Sequence, residues 1–78
     1  MSTPFGGLLR AHRERAGLTQ RTLAVRTAVS ERAIRDLERG RACRPRLVTV
    51  RLLADGLGLC GGARAVFLAA ARARPVGA

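Results

Sequence analysis

The chain has 78 residues, with 15 Lys+Arg against 5 Asp+Glu and a formal net charge of +10. All fifteen cations are Arg, aromatic residues make up only 3%, and the pI is about 11.9. A chain this short forms one small domain that buries roughly 60% of its unfolded surface, which excludes a catalytic cleft on a large scaffold. No apolar run approaches the ~18 residues of a membrane span, and no secretory leader pattern opens the chain. The expected setting is therefore cytoplasmic. Cys43 and Cys60 stand seventeen positions apart with no CxxC pair, and His12 is the only histidine. Paired ligands for a tetrahedral zinc site are missing, so neither a metal nor another cofactor is expected. Free thiols in a reducing compartment are the ordinary reading, with a disulfide as the alternative.

The positive charge implies a polyanionic partner, nucleic acid before acidic membrane. A guanidinium pairs bidentately with phosphate and with the guanine edge, which an ammonium cannot do. GC-rich codon usage also favours Arg, Ala and Gly, so the positions of the Arg residues carry more weight than their type. Residues 1–40 hold eight Arg and four acids, and residues 52–78 hold three Arg and Asp55. Between them, residues 41–51 hold Arg41, Arg44, Arg46 and Arg51 with no acid at all.

The apolar spacing is helical throughout and no strand pattern competes. A first helix is predicted over 5–16, with Phe5, Leu8, Leu9, His12 and Ala16 near one face and Gly17 as its stop. Thr19 is an N-cap for a second helix over 20–27 that buries Leu23 and Ala24. Ser30 caps a third over 31–39 that buries Ile34 and Leu37 and ends at Gly40. Pro45 holds residues 41–45 as a loop. A fourth helix over 47–57 buries Val50, Leu53, Ala54 and Leu57, and Gly58 stops it. A fifth over 63–73 turns Val66, Phe67, Ala70 and Ala71 inward. It leaves Leu68 and Ala69 on the opposite face, as a dimer contact or simply as part of an Ala-rich helix. Residues 1–4 read as a tail, 5–73 as the domain, and 74–78 as a tail or linker.

Helices two and three are separated only by about Ala28 and Val29, which is the helix-turn-helix arrangement. The second helix of such a pair can enter the major groove. The outward face of helix three carries Glu31, Arg32, Arg35, Asp36 and Arg39.

These residues resemble a known family. Leu18-Thr19-Gln20, Leu23-Ala24, Val29-Ser30, Ile34, Leu37-Glu38, Gly40, Pro45, Thr49, Leu53-Ala54 and Leu57-Gly58-Leu59 are similar in order and spacing to the Cro/C1-type (XRE) helix-turn-helix domains. The stretch Ser30 to Gly40 looks like the N-terminal DNA-binding domains of large bacterial regulators. The resemblance implies an all-α, five-helix, lambda-repressor-like domain that binds double-stranded DNA and regulates transcription in the bacterial cytoplasm and nucleoid. It implies that Gln20 contacts phosphate and braces the recognition helix, the alternative being a polar helix-start residue facing water. Arg21 joins the DNA-binding positions. Ser30, Glu31, Arg32, Arg35 and Asp36 fall on the reading positions, with Arg32 and Arg35 suited to guanine. Glu31 either accepts from a cytosine amino group or favours the helix N-terminus through the dipole. Arg39, Arg41, Arg44 and Arg46 fall on the phosphate-gripping segment. Arg13 and Glu38 match a partly buried interhelical salt bridge, which removes Arg13 from the DNA contacts. Arg64, Arg72 and Arg74 lie beyond the motif and read as solvated charge.

Five positions depart from the family pattern. Ala28 stands where the turn often has Gly, Leu47-Val48 gives helix four a poorly capped entry, Gly56 weakens the interior of that helix, and Cys60 is a poor N-cap for helix five. The leading function is a sequence-specific regulator domain, alone, as a homodimer or within a larger protein, with no small-molecule ligand of its own. The alternative is a protein-interaction or antitoxin-like module with an acidic partner. Enzyme function is not expected, since His12 and the thiols share no catalytic constellation.

Overall fold

Helix boundaries follow the capping chemistry. Thr19 and Thr22 form a reciprocal capping box, in which the Thr22 N–H donates to Thr19 Oγ1 at 3.0 Å and the Thr19 N–H to Thr22 Oγ1 at 2.8 Å. Ser30 Oγ accepts from the Ala33 N–H at 3.0 Å. The computed structural model describes residues 4–41 and 45–72, and Arg44 and Cys43 lie outside them. It contains α1 (Pro4–Arg15), α2 (Gln20–Thr27), α3 (Glu31–Glu38), α4 (Leu47–Gly56) and α5 (Gly61–Arg72), with no strand among the described residues. Pro4 occupies the first helical position of α1, where its missing N–H has no helical partner to lose. As expected from Leu47-Val48, Arg46 begins α4 with no side-chain cap. Helix α5 starts two residues earlier than its apolar pattern indicates, directly after Cys60.

The core collects small aliphatic pieces from the first four helices: Leu9, Leu23, Ile34, Leu37, Val50, Leu53 and Ala54, with Val29 from the turn. Phe67 is the largest fully buried side chain. Its ring lies 4.9 Å from Phe5 and meets His12 edge-on at 5.9 Å, so α5 is docked across α1. Two assignments on α5 change. Val66 is 58% exposed, because the rotation that sends Phe67 into the core carries its neighbour about 100° away. Leu68, placed outward by the pattern, is half-buried against the core instead, while Ala24, Leu57, Ala70 and Ala71 pack half-buried against the core on the side expected of them. Arg64 is not simple solvated charge: its Nη1 donates to Asp55 Oδ1 at 2.7 Å and joins α5 to the end of α4.

Two glycines set the helix separations. A Cβ on Gly6 would run into the Leu37 carbonyl oxygen and stand 2.9 Å from that of Glu38, so α1 and α3 meet backbone to backbone. A Cβ on Gly56 would overlap Thr27 Cγ2. Thr27 cannot swing away, because its buried hydroxyl donates to the Leu23 carbonyl at 2.8 Å and accepts from the Val29 N–H at 3.2 Å. Gly56 is therefore the condition for α4 to close on α2 rather than a defect inside α4.

A buried ion pair ties α1 to α3. Arg13 Nε donates to Glu38 Oε2 at 2.7 Å and Arg13 Nη2 to Glu38 Oε1 at 2.9 Å, a two-point fork. The side chains are 12% and 5% exposed. Arg13 Nη1 donates to the Leu18 carbonyl at 2.9 Å, and Gln20 Nε2 donates to Glu38 Oε1 at 3.2 Å. The hydrogen bond to Glu38 holds the Arg13 pKa above its ordinary value, against burial, which lowers it.

Two stability measurements check this packing. Gly56→Ala lowers stability by about 1–3 kcal/mol in urea denaturation, although Ala is the better helix former. Adding Thr27→Ser, which removes the methyl and keeps the hydroxyl, restores part of the loss. Arg13→Met strands the Glu38 carboxylate and costs about 3 kcal/mol, whereas Arg13→Met with Glu38→Met recovers most of it. Additive losses in that double-mutant cycle would exclude the coupling.

Candidate nucleic-acid interface

The interface is built on α2, a three-residue turn and α3. Ala28 adopts the left-handed conformation (φ 61°, ψ 15°), the only non-glycine described residue with positive φ. The Ala costs roughly 1 kcal/mol there relative to Gly. The turn holds this conformation because its neighbours are fixed on both sides. The Thr27 hydroxyl bridges the Leu23 carbonyl and the Val29 N–H, Val29 is buried, and Ser30 caps α3. Thr27 thus holds the turn between α2 and α3, a role its place at the end of a helix does not announce. A small β-branched hydroxyl at the last position of the first helix was its only signal.

Helix α3 is divided sharply between its two sides. Ile34, Leu37 and Glu38 are buried. Ser30, Arg32 and Arg39 are exposed, and Glu31, Arg35 and Asp36 are partly exposed. Arg35 Nη2 donates to Glu31 Oε2 at 3.3 Å, one helical turn toward the N-terminus. Asp36 lines a groove with Ala33, Leu37, Pro45, Arg46 and Thr49, toward the start of α4.

The chain leaves α3 through a Schellman turn. The Gly40 N–H donates to the Leu37 carbonyl at 3.2 Å and the Arg41 N–H to the Asp36 carbonyl at 2.9 Å, with Gly40 at φ 76°. This geometry delivers Arg41 to the surface directly after the helix. Arg46 is exposed on the far side of residues 42–44, at the start of α4. Arg44, assigned to the same segment from sequence, lies outside the described residues.

Electrostatics separate the candidate residues into two groups. Glu14, Glu31, Glu38 and Asp55 each pair with an Arg. Arg21, Arg32, Arg39, Arg41 and Arg46 are exposed and make no ion pair among the described residues. Gln20 differs from both groups: it is half-buried at the start of α2, with its amide turned toward Glu38 beneath α3. Five unpaired guanidinium groups beside and beyond one helix repel one another, and an anionic surface relieves that repulsion.

Among the described residues no cluster of three or more His, Cys, Asp or Glu could hold a metal ion. No described helix is long and apolar enough to cross a membrane. No curated protein and no solved structure matches the chain. A helix-turn-helix domain family model matches residues 4–74, consistent with the Cro/C1-type resemblance of the sequence. That match spans all five helices and the α2–turn–α3 unit, and the chain belongs to the helix-turn-helix domain family.

Proposed function

We propose that the domain is a sequence-specific DNA-binding module of a transcriptional regulator, with α3 in the major groove and the segment after it on the phosphate backbone. Membership of the helix-turn-helix family itself points to a DNA-binding regulator role. The finer reading is carried by one observation: α3 sends its apolar residues and Glu38 inward and leaves Ser30, Glu31, Arg32, Arg35, Asp36 and Arg39 at least partly open. A major groove about 12 Å wide accepts such a helix, and the side chains near its N-terminus reach base edges.

In this reading Arg32 and Arg35 address guanine, and Ser30, Glu31 and Asp36 complete the reading face. Arg39, Arg41, Arg44 and Arg46 grip phosphate after α3, and Arg21 does so from α2. Gln20 holds α3 in place through Glu38 and presents the start of α2 to the backbone. Arg13 contributes through the fold alone.

Selection of binding sites from random duplex DNA tests the proposal. It is abandoned if no sequence binds better than a random duplex. Contact with five or six phosphates gives a log–log salt slope of about −4 to −6. Arg32→Ala removes about 1–3 kcal/mol of discrimination at one base position in competition binding. Arg46→Ala weakens all duplexes alike and makes the salt slope shallower by about 1.

A further inference from the structure

Arg32 and Arg35 both stand on the solvent side of α3, but only Arg35 has a carboxylate partner. Its Nη2 donates to Glu31 Oε2 at 3.3 Å, and the two side chains are 43% and 42% exposed. The spacing is i,i+4 with the acid nearer the helix N-terminus, the orientation that the helix dipole favours. Such a half-exposed pair adds little to stability. Its consequence is geometric: a row of donors and an acceptor are presented side by side on the open face of the helix. One N–H of Arg35 is engaged with Glu31, and a guanidinium carries five. A two-donor edge therefore remains, and the Glu31 carboxylate retains free lone pairs.

We propose that Glu31 and Arg35 act as one reading unit for a single oriented G·C pair, which rests on the DNA-binding reading above. The major-groove edge of that pair presents guanine N7 and O6 followed by the cytosine N4 amino group, in the order acceptor, acceptor, donor. Arg35 and Glu31 present donor, donor, acceptor, which is its complement. The reversed pair sets the amino group against Arg35. An A·T pair sets adenine N6 against Arg35 and thymine O4 against the Glu31 carboxylate. Glu31 thus rejects wrong sequences as well as favouring the right one. Its charge also repels phosphate and lowers affinity for duplexes at large. Glu31 is a specificity-determining residue that also positions Arg35, while Arg32 reads without a tether.

The test is site selection and competition binding with the whole 78-residue chain, as wild type, Glu31→Gln, Arg35→Ala and the double variant. The wild type is expected to select a G·C pair at one position. Each single variant is expected to lose about tenfold preference at that same position, and the double variant to lose no more than either. Glu31→Gln is also expected to bind random duplex several-fold more tightly, with a melting temperature close to that of wild type. The proposal is overturned if Glu31→Gln keeps the preference that Arg35→Ala loses, if the two variants relax different positions, or if Arg35→Ala relaxes none. A wild type that selects no sequence overturns the DNA-reading proposal itself, and this one with it.

Discussion

The two-point bridge between Arg13 and Glu38 fixes α3 to the rest of the molecule. Glu38 is the last residue of α3 and is almost fully buried, so its charge needs partners inside the protein. Arg13 supplies two donors from α1 and Gln20 a third from α2, while the spare edge of Arg13 ties down the Leu18 carbonyl before α2 begins. Three helices and one connection thus converge on a single carboxylate. A hydrophobic contact of similar size would hold α3 against α1 without defining its rotation. Directed hydrogen bonds define that rotation, and with it the set of side chains that face outward.

The second constraint is the separation of the helices. Gly6 lets α1 approach the α3 backbone, and Gly56 lets α4 approach Thr27. Both positions serve the same unit, since Thr27 closes the turn that aims α3. A short chain poor in aromatics has few large side chains with which to fill gaps, and it compensates by bringing backbones close together. Phe67, packed against the buried ring of Phe5, then closes the remaining space from α5.

The net charge of +10 divides into distinct roles in this framework. Arg13 and Arg64 hold helices together, and Arg10 pairs with Glu14 along α1. Arg35 is shared between Glu31 and the open face. Arg21, Arg32, Arg39, Arg41 and Arg46 are exposed without an acidic partner among the described residues, as are Arg15, Arg26, Arg51 and Arg72 elsewhere on the surface. Positive charge is densest in the segment after α3, where Arg39, Arg41, Arg44, Arg46 and Arg51 stand with no acid between them, whereas α3 itself holds two Arg against three acids. In the proposed DNA-binding role, long-range attraction to a polyanion uses that imbalance, and discrimination between sequences uses the mixed donors and acceptors of the α3 face.

The sequence by itself determined the five helices, the helix-turn-helix spacing and the residues on the outer side of α3. These are local properties: Thr19 and Ser30 are good caps wherever they precede a helix, and Ile34 and Leu37 define an inward stripe by period alone. The family pattern marked Arg13 and Glu38 as partners, although they are 25 residues apart in the chain. Tertiary structure decided what depends on a neighbour from another helix. Val66 reads as inward by pattern and is exposed, because the docking of Phe67 on α1 sets the rotation of α5. Gly56 reads as a weakness by propensity and is the contact that admits Thr27, since its value lies in the space it leaves for α2. Thr27 reads as an ordinary helix end and proves to hold the turn through a buried hydroxyl. The pairing of Glu31 with Arg35 has the right spacing in sequence, but its presence on the open face follows from the rotation of α3 that the buried Glu38 imposes.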